Sequence, residues 1–404
     1  MKQSNAMTYP PRSSISLDRI APRSESSPRP TRLRHLALIA PLALAACDGE
    51  TEPLDDTSFR HGHGGGHGGG PGCNPDVPLP GPDGWGPGDE RGNGNTMGAA
   101  TLKRCAELMG HRHARLYETS HEHSPTMPQA LFGDAPVELE WLPTIGLPFV
   151  AQVANGEIYS GGLGSQGTQF DALGHFGVLP SPWNPYVDAT VPSVGATYYN
   201  GFTQAQVKPA ANGPMAHLGV EHAPPILTSA VVLDMKELLG RSMEAGELID
   251  AEMIDEALDA AGLHQRGIQP GDAVYLRTGW GERWVDPEPT PDYYLAGPGL
   301  SYDAAVRLAE DVPVLVGLDN PFTDAFVPCE LTGECAPPDP SVPGSPLPVH
   351  QANLVEFGIH QIQNLDLTAA ADDDVALGCA MVLPLRMRGA AGSPVRTVLI
   401  GRPR

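Results

Sequence analysis

The 404-residue chain is poor in positive charge, and its few lysines and arginines set the first limits on what it can do. Lys and Arg number 25 against 48 Asp and Glu, a formal net charge of −23. Such a chain repels phosphate backbones and anionic headgroups, which excludes nucleic acid as a partner. Long apolar runs are missing too. The longest, residues 36–46, falls well short of the ~30 Å hydrocarbon core of a bilayer. No Gly-x-Ser-x-Gly elbow, Walker loop or dinucleotide fingerprint stands in the strand–turn–helix setting that would give it meaning. No internal repeat is present. Glycine and proline are what the chain has in abundance, 47 and 43 residues, enough to make the first hundred positions turn-rich and poorly foldable.

Residues 1–30 are polar and lack an apolar period. Arg32, Arg34 and His35 then precede the apolar run, which closes on Leu44-Ala45-Ala46-Cys47. A basic flank, a short apolar core and small residues before a cysteine are the parts of an export signal peptide. This end resembles a bacterial lipobox. The resemblance implies that Cys47 is lipidated and tethers the mature chain to the cell envelope, on its periplasmic side or surface. Residues 47–97 are dominated by Gly, Pro and Asp and read as a disordered stalk. His61, His63 and His67 within it read as a flexible spacer with at most weak metal affinity. Cysteine usage agrees with export, because Cys329 and Cys335 flank a short turn-rich loop and fit a disulfide in an oxidising compartment. Cys73 offers a partner to Cys105, and Cys379, inside an apolar run, reads as a buried thiol. With Cys47 and Cys379 set aside, the other four cysteines admit three pairings.

Past residue 98 the pattern becomes foldable. Apolar and β-branched runs at 230–234, 273–277, 312–318, 378–384 and 395–400 predict strands. Residues 247–261 predict a helix with Ile249, Met253, Ala257 and Ala261 on one face, stopped by Gly262. Ser301 caps a second helix over 302–310, and a third runs over about 350–357 to Gly358. Strands and helices without strict alternation predict one α/β domain over 98–404 and exclude a doubly wound sheet.

The most informative segment is Ser165-Gln166-Gly167-Thr168-Gln169-Phe170-Asp171-Ala172-Leu173-Gly174-His175. On an extended strand, residues two apart point to one side, so Gln169 and Asp171 can converge on one ion. His175 follows a glycine that lets the chain turn towards the same cavity. The segment resembles the signature H-x-G-T-H-x-D-x-x-x-H of the cyclase family of metal-dependent hydrolases, which includes bacterial kynurenine formamidase and isatin hydrolase. Further stretches follow in family order: Leu116-Tyr117-Glu118-Thr119-Ser120-His121, Val316-Gly317-Leu318-Asp319-Asn320, Pro348-Val349-His350 and Gln363-Asn364-Leu365. The likeness covers roughly residues 110–402.

The resemblance implies a swivelling β/β/α domain, a homo-oligomer and a metal-dependent hydrolase of small molecules. It assigns Asp171 and His350 as metal ligands and His175 as the proton-transfer residue. Three positions depart from the pattern. Ser165 and Gln169 stand where the family has histidines, and Gln363 replaces the ligand glutamate, one residue further along than usual. Losing two imidazoles and a carboxylate disfavours a two-zinc centre and points to one divalent ion, Mn²⁺ or Zn²⁺, with the oxygen-rich set favouring Mn²⁺. His217, His222 and Trp183 are placed to line a substrate pocket, with Tyr198 and Tyr199 as further aromatics. His111, His113, His121 and His123 read as a solvated cluster. The expected reaction is arylformamidase-like: hydrolysis of an N-formyl aryl amine or a cyclic amide by activated water. Two rival readings are a non-catalytic solute-binding protein that keeps the pocket, and a dehydratase or cyclase acting on polyketide-like substrates.

Overall fold

A computed structural model of the chain describes residues 77–404, apart from 131–134, 182–194, 288, 290–292, 330–334, 340 and 343–344. Its centre is a nine-stranded curled sheet in the order β1-β15-β13-β7-β9-β11-β12-β6-β14. These strands are β1 (Arg115–Glu118), β6 (Gln169–Asp171), β7 (Ile226–Asp234), β9 (Ala273–Arg277), β11 (Leu315–Leu318), β12 (His360–Gln363), β13 (Leu377–Val382), β14 (Gly392–Pro394) and β15 (Thr397–Gly401). The middle four, β7, β9, β11 and β12, run parallel, and the flanking pairs are antiparallel. This mixed α/β architecture bears out the swivelling β/β/α expectation.

Alternation along the central strands explains the layering. Val231 and Leu233, with Val274, Leu276, Val316 and Leu318, face the helices Ala251–Ala260 and Tyr302–Ala309. Their neighbours Ala230, Val232, Tyr275 and Leu315 fill the inside of the curl with Phe170, Ile362 and Leu399. Both faces are buried, so these strands read as continuous apolar runs, as parallel strands do. Ser301 Oγ accepts the amide of Ala304, the cap expected for its helix.

Several expectations need correction. The helix predicted from residue 247 starts at Ala251, because Asp250 caps it by accepting the Met253 amide. Leu248–Ile249 instead form β8, parallel to β10 (Gly299–Leu300). The buried stripe is therefore Ile254, Ala257 and Leu258, not one running from Ile249 to Ala261. The strand predicted from 312 begins at Leu315, since Val312 has a φ of 53° and closes the turn after the preceding helix. The third helix opens at Pro348–His350 and continues as a π-helix over Gln351–Phe357.

The disordered reading does not hold over residues 77–97. Residues 77–97 are packed against the body: buried Asn93 donates to the Pro313 carbonyl at 2.9 Å, and Tyr199 Oη donates to Asp89. Side-chain hydrogen bonds hold this segment where apolar burial is scarce. Cys105, on the helix Ala99–Met109 that crosses β13, is bonded to Cys379, so Cys379 is buried but not a thiol, and Cys73 is not the partner of Cys105. Two cysteines 274 residues apart give no local sign of pairing. Cys329 and Cys335 form the second disulfide, as expected. Cys47, Cys73, His61, His63, His67 and Trp183 lie outside the described residues.

Candidate active site

The site is built on β6. Phe170 points into the core while Gln169 and Asp171, both buried, project from the opposite side. Antiparallel pairing sets Gln169 across from Gln363 and Asp171 across from Gln361 on β12. The Gly-Thr pair before β6 is a clip. Thr168 Oγ1 donates to the Asn364 carbonyl at 2.6 Å and accepts the His121 amide, while Asn364 Nδ2 donates to the Gly167 carbonyl. Gly167 has a φ of +68°, and a Cβ there would sit 2.5 Å from the His123 ring, so only glycine fits. Gly174 serves differently from the expected turn: its missing Cβ lets the chain approach the Leu218 carbonyl.

Asp171, His175 and His350 each bring one donor atom within 4.8 Å of the others. His350 Nε2 lies 3.8 Å from Asp171 Oδ2. Its Nδ1 is hydrogen-bonded to Asp324, which also accepts the Val349 amide, and it has Thr323 Oγ1 at 3.3 Å. Gln361 in turn accepts from Thr323. A carboxylate behind the far nitrogen fixes the tautomer and aims Nε2 at Asp171. Burial lowers the tendency of the His350 ring to carry a proton, but Asp324, and then Asp171, outweigh it and hold its pKa above the usual value. The pocket around this ring therefore attracts positive charge.

A divalent ion fits the donor set. Three buried acceptors, Gln169 Oε1, Asp171 Oδ1 and Gln363 Oε1, have no hydrogen-bond partner, while Gln363 Nε2 donates to Asp171 Oδ2 at 2.6 Å. Each such orphan costs about 1–3 kcal/mol when nothing satisfies it. Three oxygens beside one imidazole nitrogen are the donors a hard cation takes. Gln363 stands on β12 directly across from Gln169.

Next to these donors is a cavity of about 300 Å³. Ser165, Gln169, His175, His350 and Gln363 line its polar side, and Phe176, Tyr294, Phe322 and Phe326 its apolar side. His175 is exposed, with its ring centroid 6.1 Å from that of His350. Other residues singled out in the sequence lie elsewhere. His217 Nδ1 and His222 Nε2 face Glu90 at 2.9 and 3.4 Å, and neither lines the cavity. Tyr198 is bonded to Gln204 and Tyr199 to Asp89. His111 and His113 are exposed, while His121 and His123 line a separate groove with Tyr159. Asp324 and the phenylalanine wall escaped the sequence reading. Phe176 directly follows His175, and Phe322 and Phe326 bracket Asp324, so adjacency to the motifs was the available signal.

A curled mixed sheet with carboxylate, imidazole and amide groups gathered beside one cavity defines a class of mixed α/β proteins. The chain belongs to the Cyclase family, whose model matches residues 117–325, just over half of the sequence. Among solved structures it is similar to a novel cyclase, at 21% identity and a TM-score of 0.61, covering 78% of this chain and 95% of that one. It is also similar to isatin hydrolase A from Ralstonia solanacearum, at 20% identity and a TM-score of 0.49, covering 72% and 92%. An isatin hydrolase bound to the product analogue thioisatinate gives 18% identity and a TM-score of 0.49, covering 76% and 100%. No curated protein matches the chain.

Proposed function

We propose that this chain is a metal-dependent hydrolase of an amide bond, in an N-formyl aryl amine or a cyclic amide. The observation that carries this reading is the gathering of one donor atom each from Asp171, His175 and His350 within 4.8 Å of one another, with unpartnered buried oxygens on Gln169, Asp171 and Gln363 and an aromatic wall beside them. Asp171, His350, Gln169 and Gln363 would hold one divalent ion, with Mn²⁺ suited to the oxygen-rich set. Such an ion polarises a carbonyl and acidifies water when bound. His175 takes a proton from water at an imidazole nitrogen and returns it to the leaving nitrogen, the usual work of a positioned acid–base group. Phe176, Phe322 and Phe326 shed water and receive a planar ring. Asp324 keeps His350 from rotating away.

Elemental analysis of full-length protein purified without chelator, paired with an amidase screen, tests the reading. One equivalent of metal and turnover of an aryl formamide or cyclic amide are expected. Ser165 favours the rival reading, a solute binder: it replaces a family histidine, and its hydroxyl is bonded to the Gly162 carbonyl. Absence of both metal and turnover would hand the site to that reading. The Leu44-Ala45-Ala46-Cys47 sequence supports an enzyme tethered at the cell envelope. Equal membrane fractionation of wild type and Cys47→Ser would remove that part of the proposal. Among the described residues no helix is long and apolar enough to cross a membrane.

A further inference from the structure

Tyr293 and Tyr294 are adjacent, both buried and both tied to the side chain of Asn364, yet their hydroxyls play opposite parts. Tyr293 Oη donates to Asn364 Oδ1 at 3.0 Å. Tyr294 Oη instead accepts, from Asn364 Nδ2 at 3.1 Å and from the Gly167 amide at 3.2 Å. The direction of these bonds is fixed. Asn364 Nδ2 also donates to the Gly167 carbonyl at 2.7 Å, and a carbonyl only accepts, so the Asn364 amide cannot be turned over.

A phenol carries one hydrogen to give, and two N–H groups already fill the acceptor side of the Tyr294 oxygen. Its own hydrogen has no acceptor among the described residues, although the side chain lines the cavity of about 300 Å³. Gln169 Oε1 and Gln363 Oε1, acceptors from the same lining, do not receive it, since both are without a partner. Phe176, Phe322 and Phe326 offer nothing that could. Buried donors are normally paired, so this one calls for an acceptor that enters the cavity from outside. Burial raises the Tyr294 pKa, against the pull of Gly167 and Asn364, and keeps the hydroxyl protonated.

We infer that Tyr294 is a further catalytic residue, giving a hydrogen bond to the carbonyl oxygen of an aromatic substrate held in this cavity. The inference rests on the hydrolase reading for the kind of bond attacked. As a water oxygen bonds to the carbonyl carbon, the π pair moves onto the carbonyl oxygen, where the Tyr294 hydrogen bond stabilises it. The pair returns when the carbon–nitrogen bond breaks, and the proton stays on Tyr294 throughout. A donor already in place where charge develops needs no reorganisation at that moment. With its acceptor side filled, the same oxygen selects a carbonyl over an amine at this end of the pocket.

Calorimetric titration of the full-length protein with a matched pair of ligands tests this. Acetophenone has a carbonyl but no leaving nitrogen, and ethylbenzene carries CH₂ in its place. Tyr294→Phe should weaken acetophenone about 10-fold and leave ethylbenzene unchanged, the scale of one neutral hydrogen bond. Tyr293→Phe, which also takes one bond from Asn364, should leave the preference for acetophenone intact. Metal content should be the same in all three proteins. On an aryl formamide, Tyr294→Phe should lower kcat about 10²-fold. In case that variant misfolds, protein with ¹³Cζ-labelled tyrosine at 294 keeps the native side chain: its resonance should move with acetophenone and not with ethylbenzene. Equal weakening of both ligands, an equal effect of Tyr293→Phe, or no binding of acetophenone by wild type overturns the inference. Absence of turnover in wild type would sink the hydrolase reading instead, while the ligand pair still decides the part played by Tyr294.

Discussion

At β6, Gln169, Asp171 and Gln363 bury oxygens that have no partner, whereas Trp141, Phe149 and Val153 expose apolar surface that nothing covers. The latter lie on a two-stranded arm, in which β2 (Glu138–Trp141) pairs with β5 (Glu157–Ser160) and β3 (Ile145–Gly146) with β4 (Val153–Ala154). Folded chains normally pair buried polar atoms and cover large apolar patches. Each region breaks one half of that rule, and each is paired with a supporting frame that keeps it in place. The inner site is held by the Thr168–Asn364 clip and by Asp324 behind His350. The arm is rooted at its base by the 2.6 Å contact between His123 Nδ1 and Tyr159 Oη. The two exceptions differ in kind: the buried oxygens suit the divalent ion proposed above, whereas the arm leaves apolar side chains exposed.

The sharpest way to break the inner half is Asp171→Asn. The variant keeps shape but removes the only carboxylate among the proposed ligands, so metal and activity should vanish together, read by elemental analysis and turnover. Retention of stoichiometric metal would mean that the orphaned oxygens have another purpose. His175→Ala should spare the metal and lower kcat about 10²–10⁴-fold. Equal loss of metal and turnover would move His175 from proton carrier to ligand.

Acid should act on the frame between the two regions. His121, stacked on Trp284, is held down to about 4, chiefly by burial and secondarily by His123, with Asp366 opposing. A folded-state value below the unfolded one of about 6.5 means that the unfolded chain binds more protons in between. Stability is then fully present above about pH 6.5 and is lost as the pH falls towards 4, by up to a few kcal/mol. Thermal melts across this window should show the decline, and His121→Phe should flatten it; an unchanged profile in the variant would clear His121. The smallest effect expected is that of Asp324→Asn, which leaves the ligands in place but loosens the His350 ring. Metal affinity should fall about 10–100-fold with the fold intact, measured by competition with a chromogenic chelator. An unchanged affinity would make Asp324 a purely structural partner.

Much of this molecule was legible in the chain. The apolar runs of β7 and β9 announced buried strands because both of their faces are covered. Ser301 announced its helix by a local hydrogen bond. The spacing of Gln169 and Asp171 announced a shared side because strand geometry has a period of two. Where the reading failed, the deciding contact was either a local cap that was passed over or a distant one. Asp250 and the β8–β10 pair moved a helix start. Residues 77–97 were judged by composition and are held by side-chain hydrogen bonds to positions more than a hundred residues away.

By itself the sequence determined the strand and helix periods, the acidic charge, the signature around Asp171 and the replacement of its histidines by Ser165 and Gln169. These are properties of neighbouring residues, and local geometry carries them. Only the tertiary structure decided that Cys105 meets Cys379, that Asp324 stands behind His350, that Phe322 and Phe326 face His175 across one cavity, and that Glu90 draws His217 and His222 away from it. Each of these depends on how strands far apart in the chain are ordered across the sheet. That order is chosen by burying both faces of the whole sheet at once, a sum over the entire core that no single segment records.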